Sequence, residues 1–318
     1  MNFHWEFSTP EQEGLDGEIL NSVDHFLKKK RYRLVNSILI IKNEKLVFER
    51  YYNKFNEESK NNIKSIWKSI LSVCIGICID KGYIKSLDEP ITNYLEEFNK
   101  NIHPYHKLIT IRSLLTMTSG IYWNGGIHYH CPMLTQLFNS QNWLQHIADI
   151  AVTNVPSSKN QYKEWDVMLL SAIITKASSM SAYDFCNKYL YEPLNISSGV
   201  WSASSCGISY TIYGKEENSD LTARDLAKIG LLFLNKGKFN GRQILSEAYI
   251  NEAITPSSSN RGYGLLWWIF DDYYGGRGFG GQELNVIPDK NMVTVIQATP
   301  TSQGKSYESI HQEIIFNA

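Results

Sequence analysis

The sequence carries no excess of charge of either sign. Its 31 Lys and Arg offset 32 Asp and Glu to a formal −1 over 318 residues. No long-range field gathers a phosphate backbone or an anionic lipid surface, so neither nucleic acid nor membrane is expected as a partner. Cysteine is scarce. Cys74, Cys78, Cys131, Cys186 and Cys206 are odd in number and scattered, which suits reduced thiols better than a disulfide framework. No apolar run reaches the roughly 18 residues of a membrane span. The opening residues, Met1 to Phe7, lack the basic start and apolar stretch of a secretory signal, so a cytoplasmic location is expected. Internal repeats and low-complexity tracts are missing too. What is present, 43% hydrophobic and 20% charged, suits one large globular body or two joined lobes and excludes disorder, collagen and coiled coil. The expected partner is a small-molecule or peptide-like substrate.

Leu15 to Lys30 reads as an amphipathic helix. Ser37 to Lys42 and Lys45 to Tyr52, separated by Asn43-Glu44, read as a β-hairpin. From about 62 to 235 the pattern is mainly helical. Within it Ser65 precedes an almost wholly apolar run, Ile66 to Ile79, closed by Asp80-Lys81-Gly82; apolar residues on every side predict a helix buried all round, and the glycine predicts its left-handed stop. Thr222-Ala223-Arg224-Asp225 predicts a capping box opening another helix. Strands are expected at 262–270, 283–287 and 292–299, and a last helix at about 305–316. Strands at both ends with helices between imply one sheet built from the termini.

Ser65-Ile66-Trp67-Lys68 sets a hydroxyl and an amine three residues apart, on one face of a helix and about a turn from each other. Burial lowers a lysine toward a useful base, and the helix start offers the serine's own N–H to a developing oxyanion. Such a pair also recurs by chance: Ser302-Gln303-Gly304-Lys305 fits the same spacing, but in a turn-forming stretch with no apolar helix behind it.

The surroundings of Ser65 distinguish the two. Ile63-Lys64-Ser65-Ile66-Trp67-Lys68, Ile75 to Ile84, Leu87-Asp88-Glu89-Pro90-Ile91, Ile111 to Gly120, Leu221 to Gly230, and Gly281-Gln282 with Val286-Ile287-Pro288 together resemble the serine β-lactamase and penicillin-binding-protein superfamily. The similarity is to its branch of class C enzymes, D-aminopeptidases, family VIII esterases and 6-aminohexanoate-oligomer hydrolases. The resemblance implies an α+β, β-lactamase/transpeptidase-like fold, an antiparallel sheet flanked by terminal helices with an inserted helical lobe. Residues 1–60 and 236–318 are assigned to the sheet lobe, 61–235 to the helical lobe, and the active site to their junction.

It also implies two further motifs. For Tyr-x-Asn the matching residues are Tyr162-Lys163-Glu164: the tyrosine is present and the amide is not. A phenol beside Lys68 can relay the serine proton and protonate the leaving group; the alternative is a packing tyrosine. Glu164 is expected to pair with Lys68, which would raise the lysine and weaken it as a base, or to recognise an ammonium on the substrate, or to be a solvated loop residue. For Lys/His-Thr/Ser-Gly, on the strand bordering the cleft, the match is Gly276-Arg277-Gly278, followed by Phe279. The cation that helps hold the carboxylate of a β-lactam or D-Ala-D-Ala terminus is missing; Arg277 either substitutes for it or turns its side chain away. Small residues there let a substrate backbone approach, and the Phe279 N–H is the expected second oxyanion donor beside that of Ser65.

The expected activity is serine hydrolysis of ester or amide bonds through an acyl-enzyme on Ser65, with Lys68 and Tyr162 handling the proton. That chemistry requires no metal or organic cofactor. The alternatives are a β-lactamase or D-alanyl-D-alanine carboxypeptidase, and a non-catalytic ligand-binding descendant. His128-Tyr129-His130-Cys131 lacks further ligands at metal-site spacing and is expected to rim the cleft with Tyr122, Trp123 and Tyr129. Trp267-Trp268 is expected to pack in the core.

Overall fold

A computed structural model describes residues 3–100, 103–126, 131–211, 218–301 and 305–318. Strands β1 (Val35–Lys42) and β2 (Lys45–Tyr51) form the expected hairpin. Asn43 and Glu44 both take positive φ, 52° and 66°, the left-handed pair that lets a two-residue turn follow the twist of its strands. From the other end of the chain come β3 (Trp268–Ile269), β4 (Tyr274–Gly278), β5 (Gln282–Ile287) and β6 (Met292–Ala298). The sheet runs β2-β1-β6-β5-β4-β3, antiparallel throughout. The termini thus join at the β1–β6 ladder.

Several boundaries differ from expectation. The stretch after Leu15 is broken into Gly17–Asn21 and Val23–Phe26. Of 262–270 only Trp268–Ile269 pairs in the sheet, whereas Tyr274–Gly278, which holds the Gly276-Arg277-Gly278 motif, is strand β4. Register with β5 rather than side-chain preference holds this glycine-rich strand in place. The last helix begins at Glu308.

One face of the sheet packs against the terminal helical segments, where Leu20, Ile38, Ile40, Ile296 and Ile310 are buried together. Here Glu283 of β5 meets His311 at 3.0 Å, both almost wholly enclosed. The other face is covered by helix α1 (Ile66–Asp80) and a helix over Ala223–Leu234, joined to a continuous core that reaches through the helical part. Every residue of α1 from Ile66 to Cys78 is buried. Each large apolar side chain so enclosed is worth about 1.5–3 kcal/mol, enough to fix the helix despite its β-branched content. Gly82 ends it at φ +74°. Thr222 caps its helix through Asp225 N–H, but the Asp225 carboxylate turns to Lys228 at 2.7 Å instead of completing the box. Among the described residues no helix is long and apolar enough to cross a membrane.

Candidate active site

The chain enters α1 through a tight turn. Lys64 sits at φ +51°, with its N–H held by the Asn62 side chain at 2.9 Å. A lysine in the left-handed region costs on the order of 1 kcal/mol, and the kink aims the next residue out of the backbone path. Ser65 takes the N-cap position, yet its side chain makes no cap hydrogen bond. Instead Ser65 Oγ accepts from Lys68 Nζ at 3.1 Å. Lys68 Nζ also donates to Glu164 Oε1 at 3.0 Å, with side-chain exposures of 4% and 14% for the pair.

Glu164 opens helix α2 (Glu164–Ser178), and Tyr162 lies just before it. Tyr162 lies beside both Ser65 and Lys68, close enough for its phenol to feel each of them, and Lys68 Nζ lies 5.2 Å from the centre of its ring. The three chemical groups expected from the sequence meet at one point, with Glu164 as a fourth. The Tyr162 residue remains 37% exposed, so its ring edge borders solvent.

A backbone zipper holds this arrangement. The loop before α2 bonds to the corner after Leu115: Gln161 N–H to Met117 O at 2.8 Å, Asn160 Nδ2 to Thr116 O at 2.8 Å, and Gln161 Nε2 to Trp123 O at 3.1 Å. Beneath it lies a buried polar cluster that the sequence did not suggest. Lys163 Nζ donates to Ile121 O at 2.8 Å, and Ser119 Oγ donates to Asp166 Oδ1 at 2.5 Å. Burial lifts the Asp166 carboxyl to about 6, against the pull of Lys163 and Ser119, and pushes Lys163 down. Lys163 stood as the unassigned middle residue of its motif; an acidic residue two positions after Glu164 was the available signal.

The electrostatics follow from who touches whom. Burial alone would lower Lys68, but the Glu164 side chain beside it more than reverses this and holds the ammonium above the ordinary lysine range. Burial also raises Tyr162, and Glu164 adds to it, so the pull of Lys68 toward phenolate is outweighed. At rest Lys68 is an ammonium and Tyr162 a neutral phenol. Of the expected roles for Glu164, pairing with Lys68 is the one the geometry displays.

Strand β4 borders the start of α1. A Cβ built on Gly276 would stand 2.9 Å from Ile66 Cγ2, and one on Gly278 would collide with the Ile63 carbonyl. These two glycines face the nucleophile turn, so Phe279 leaves the strand beside it. Arg277 alternates to the opposite face, where its guanidinium lies 4.8 Å from the Phe270 ring centre and 5.8 Å from that of Tyr273. Of the two readings of Arg277, a substitute cation or a side chain turned away, the packing on Phe270 and Tyr273 displays the second.

Trp268 also departs from expectation. Trp267 is fully buried, but Trp268 is only partly so and stacks on Tyr162, 6.1 Å between centres and 27° between planes, with Tyr263 edge-on at 5.1 Å. These rings form an aromatic wall against the reacting groups. Tyr122 is exposed and Trp123 half-buried on the corner beyond. His128, Tyr129, His130 and Ser302 lie outside the described residues.

The model of the beta-lactamase family matches residues 23–314. The chain belongs to the beta-lactamase family. This family is hydrolytic. Among relatives, the 6-aminohexanoate-dimer hydrolase of Paenarthrobacter ureafaciens is 20% identical over 310 residues, covering 89% of this chain and 77% of its own. Two solved structures share the fold. The octameric penicillin-binding protein homologue from Pyrococcus abyssi has a TM-score of 0.71 at 19% identity, over 94% of this chain and 77% of that one. EstCE1, a hydrolase with promiscuous acyltransferase activity, has a TM-score of 0.73 at 13% identity, over 94% and 97%. The β-lactamase-like α+β fold expected from the sequence is the fold found.

Proposed function

We propose that this family member is a serine hydrolase that forms an acyl-enzyme on Ser65 and cleaves ester or amide bonds of small or peptide-like substrates without a carboxylate beside the scissile bond. The observation that carries the reading is the hydrogen bond from Lys68 Nζ to Ser65 Oγ at 3.1 Å, with the Tyr162 ring centred 5.2 Å from the same nitrogen, at a helix start where the serine is spared from capping. Ser65 Oγ attacks the carbonyl, and its proton passes to the Lys68–Tyr162 pair. The N–H groups of Ser65 and Phe279 receive the oxyanion, a type of contact worth roughly 3–4 kcal/mol per donor in acyl transfer. Tyr162 then protonates the leaving group, and water enters to release the acid.

The substrate class follows from charge and shape. Gly276 offers no cation and Arg277 is turned away, while Glu164 adds a negative charge. A carboxylate-bearing β-lactam or D-alanyl terminus thus meets no counter-ion from positions 276 and 277, whereas the wall of Tyr162, Tyr263 and Trp268 favours an apolar or aromatic acyl or leaving group.

Intact-mass spectrometry with a fluorophosphonate, neutral chromogenic esters and a penicillin tests this reading. Expected are a Ser65 adduct with the fluorophosphonate and turnover of the esters, both lost in Ser65→Ala. Rapid turnover or stable capture of the penicillin would favour the β-lactamase or carboxypeptidase reading, and no adduct with any reagent would favour a binding protein.

A further inference from the structure

An ammonium has no lone pair, so Lys68 as it rests cannot receive the Ser65 proton. Some group must first relieve it of one. Tyr162 is a neutral phenol, Tyr263 lies behind it and is buried, and Asp166 is engaged with Ser119 and Lys163. On the side of β4 the start of α1 meets glycines. Glu164 is the carboxylate in direct contact with Lys68.

We propose that Glu164 is the proton store of the site: when an acyl donor displaces water from the cleft, Lys68 hands a proton to Glu164 and becomes the amine that accepts the Ser65 proton. Three features support it. Lys68 Nζ lies 3.1 Å from the proton donor Ser65 Oγ and 3.0 Å from the acceptor Glu164 Oε1, so one nitrogen bridges both. The pair is buried, which leaves its charged form dependent on the water remaining at the cleft. And Glu164 Oε2 is buried without a hydrogen-bond partner among the described residues, whereas a carboxylate built purely for an ion pair has both oxygens satisfied. Drying the site penalises separated charges more than a neutral amine and acid, so substrate entry itself tips the pair.

The proton count closes. An N–H bond of Lys68 breaks and an O–H bond forms on Glu164. Ser65 Oγ then bonds to the carbonyl carbon while its proton goes to the Lys68 lone pair. That proton leaves with the departing alcohol or amine through Tyr162. Deacylation repeats the cycle with water in place of serine, and Glu164 returns its proton to Lys68 when the product leaves. Glu164 acts through Lys68 and is a positioning residue for the proton.

This rests on the acyl-enzyme reading, and the test separates the two. The pH profile of kcat/KM for a neutral chromogenic ester is measured for wild type, Glu164→Gln and Glu164→Asp. Glutamine keeps the shape but takes no proton, so Lys68 must lose its proton to solvent before reaction. The acid limb of the profile is then expected to move up by about two units or more, with a loss of at least about tenfold on its lower side; Glu164→Asp restores the wild-type limb. An unmoved limb, or a Glu164→Gln enzyme faster than wild type throughout, overturns the proposal. Fluorophosphonate labelling of wild-type Ser65 reports the acyl-enzyme reading independently of that limb. If Glu164→Gln does not fold, infrared difference spectra of the wild type on binding a neutral substrate analogue decide: a new protonated-carboxyl band, shifted by labelled glutamate, is expected, and its absence overturns the proposal.

Discussion

Raising the pH through the mildly acidic range is expected to destabilise the protein through Asp166, the carboxylate beneath the site. Burial, opposed by Lys163 and Ser119, lifts this group to about 6 from an ordinary value of 3.8. Between those values the folded chain holds a proton that the unfolded chain has released, so unfolding free energy falls as pH rises. The contribution is complete below 3.8 and is lost as pH passes through about 6. A displacement of about two units at about 1.36 kcal/mol each makes the loss about 3 kcal/mol. With a urea dependence of about 3 kcal/mol per molar, the unfolding midpoint moves by about 1 M. The assay is urea unfolding at half-unit pH steps, comparing wild type with Asp166→Asn. The amide cannot titrate, so the difference between the curves isolates this group from every other carboxylate. Parallel curves would refute the reasoning, since they would mean that Asp166 is ionised in the fold or no more buried than in the unfolded chain.

Three further outcomes are expected. Tyr162→Phe, which removes the phenol hydroxyl beside Ser65 and Lys68 but keeps the ring against Trp268, lowers kcat for a neutral ester by about 10²–10⁴-fold with a nearly unchanged KM in steady-state assays. Gly76→Ala puts a Cβ 2.5 Å from Tyr249 Cδ1 and 2.7 Å from Leu245 Cδ1; calorimetry should find about 1–3 kcal/mol lost to overpacking in spite of alanine's better helix propensity. His311→Leu strips Glu283 of its buried partner at 3.0 Å, and denaturant unfolding near neutral pH should register about 3–5 kcal/mol of destabilisation. Burial raises the Glu283 carboxyl, but His311 and the Tyr307 N–H outweigh it and hold the group below 4.5 in the native chain, so the stability it contributes is present above that value and the deficit shrinks as pH falls through the folded value.

Local pattern carried much of the fold. Alternation at 37–52 with Asn43-Glu44 between gives a hairpin, and an apolar run closed by glycine gives a buried helix; both rest on neighbours within a turn or a ladder. Strand β4 is legible only through its resemblance to the family motif, because three of its five residues are glycine and its pairing depends on β5 across the ladder. The same non-locality divides the site. Ser65 and Lys68 are three apart on one helix, and their proximity is a property of helical geometry. That Tyr162 and Glu164 reach them is set by the zipper between 116–123 and 157–166, which depends on contacts about forty residues apart in sequence. Strand alternation sends Arg277 to the face opposite Gly276 and Gly278. Trp268 could not be separated from Trp267 until the stack on Tyr162 was visible, because alternation says that two neighbours face opposite ways without saying which faces the cleft.

The departures from the family pattern at 164 and 276 shift charge in the same direction, and together they make electrostatic sense. In the pattern with an amide at the first position and a cation at the second, the cleft carries positive charge that the substrate's carboxylate completes. Here Gly276 lacks that cation and Glu164 places a carboxyl group 3.0 Å from Lys68, so these two positions make the site less positive than the pattern does. A substrate carboxylate would then be an uncompensated charge in a half-dry cleft, which is costly. Either change alone would leave the site unbalanced for one substrate class or the other. Gly276 with an amide at 164 would leave Lys68 uncompensated when a neutral substrate binds, and Glu164 with a cation at 276 would spend that cation on the protein's own carboxylate. Their co-occurrence fits the proposed hydrolysis of uncharged acyl groups, and it is consistent with the residue that departs from the motif being the one in contact with the lysine.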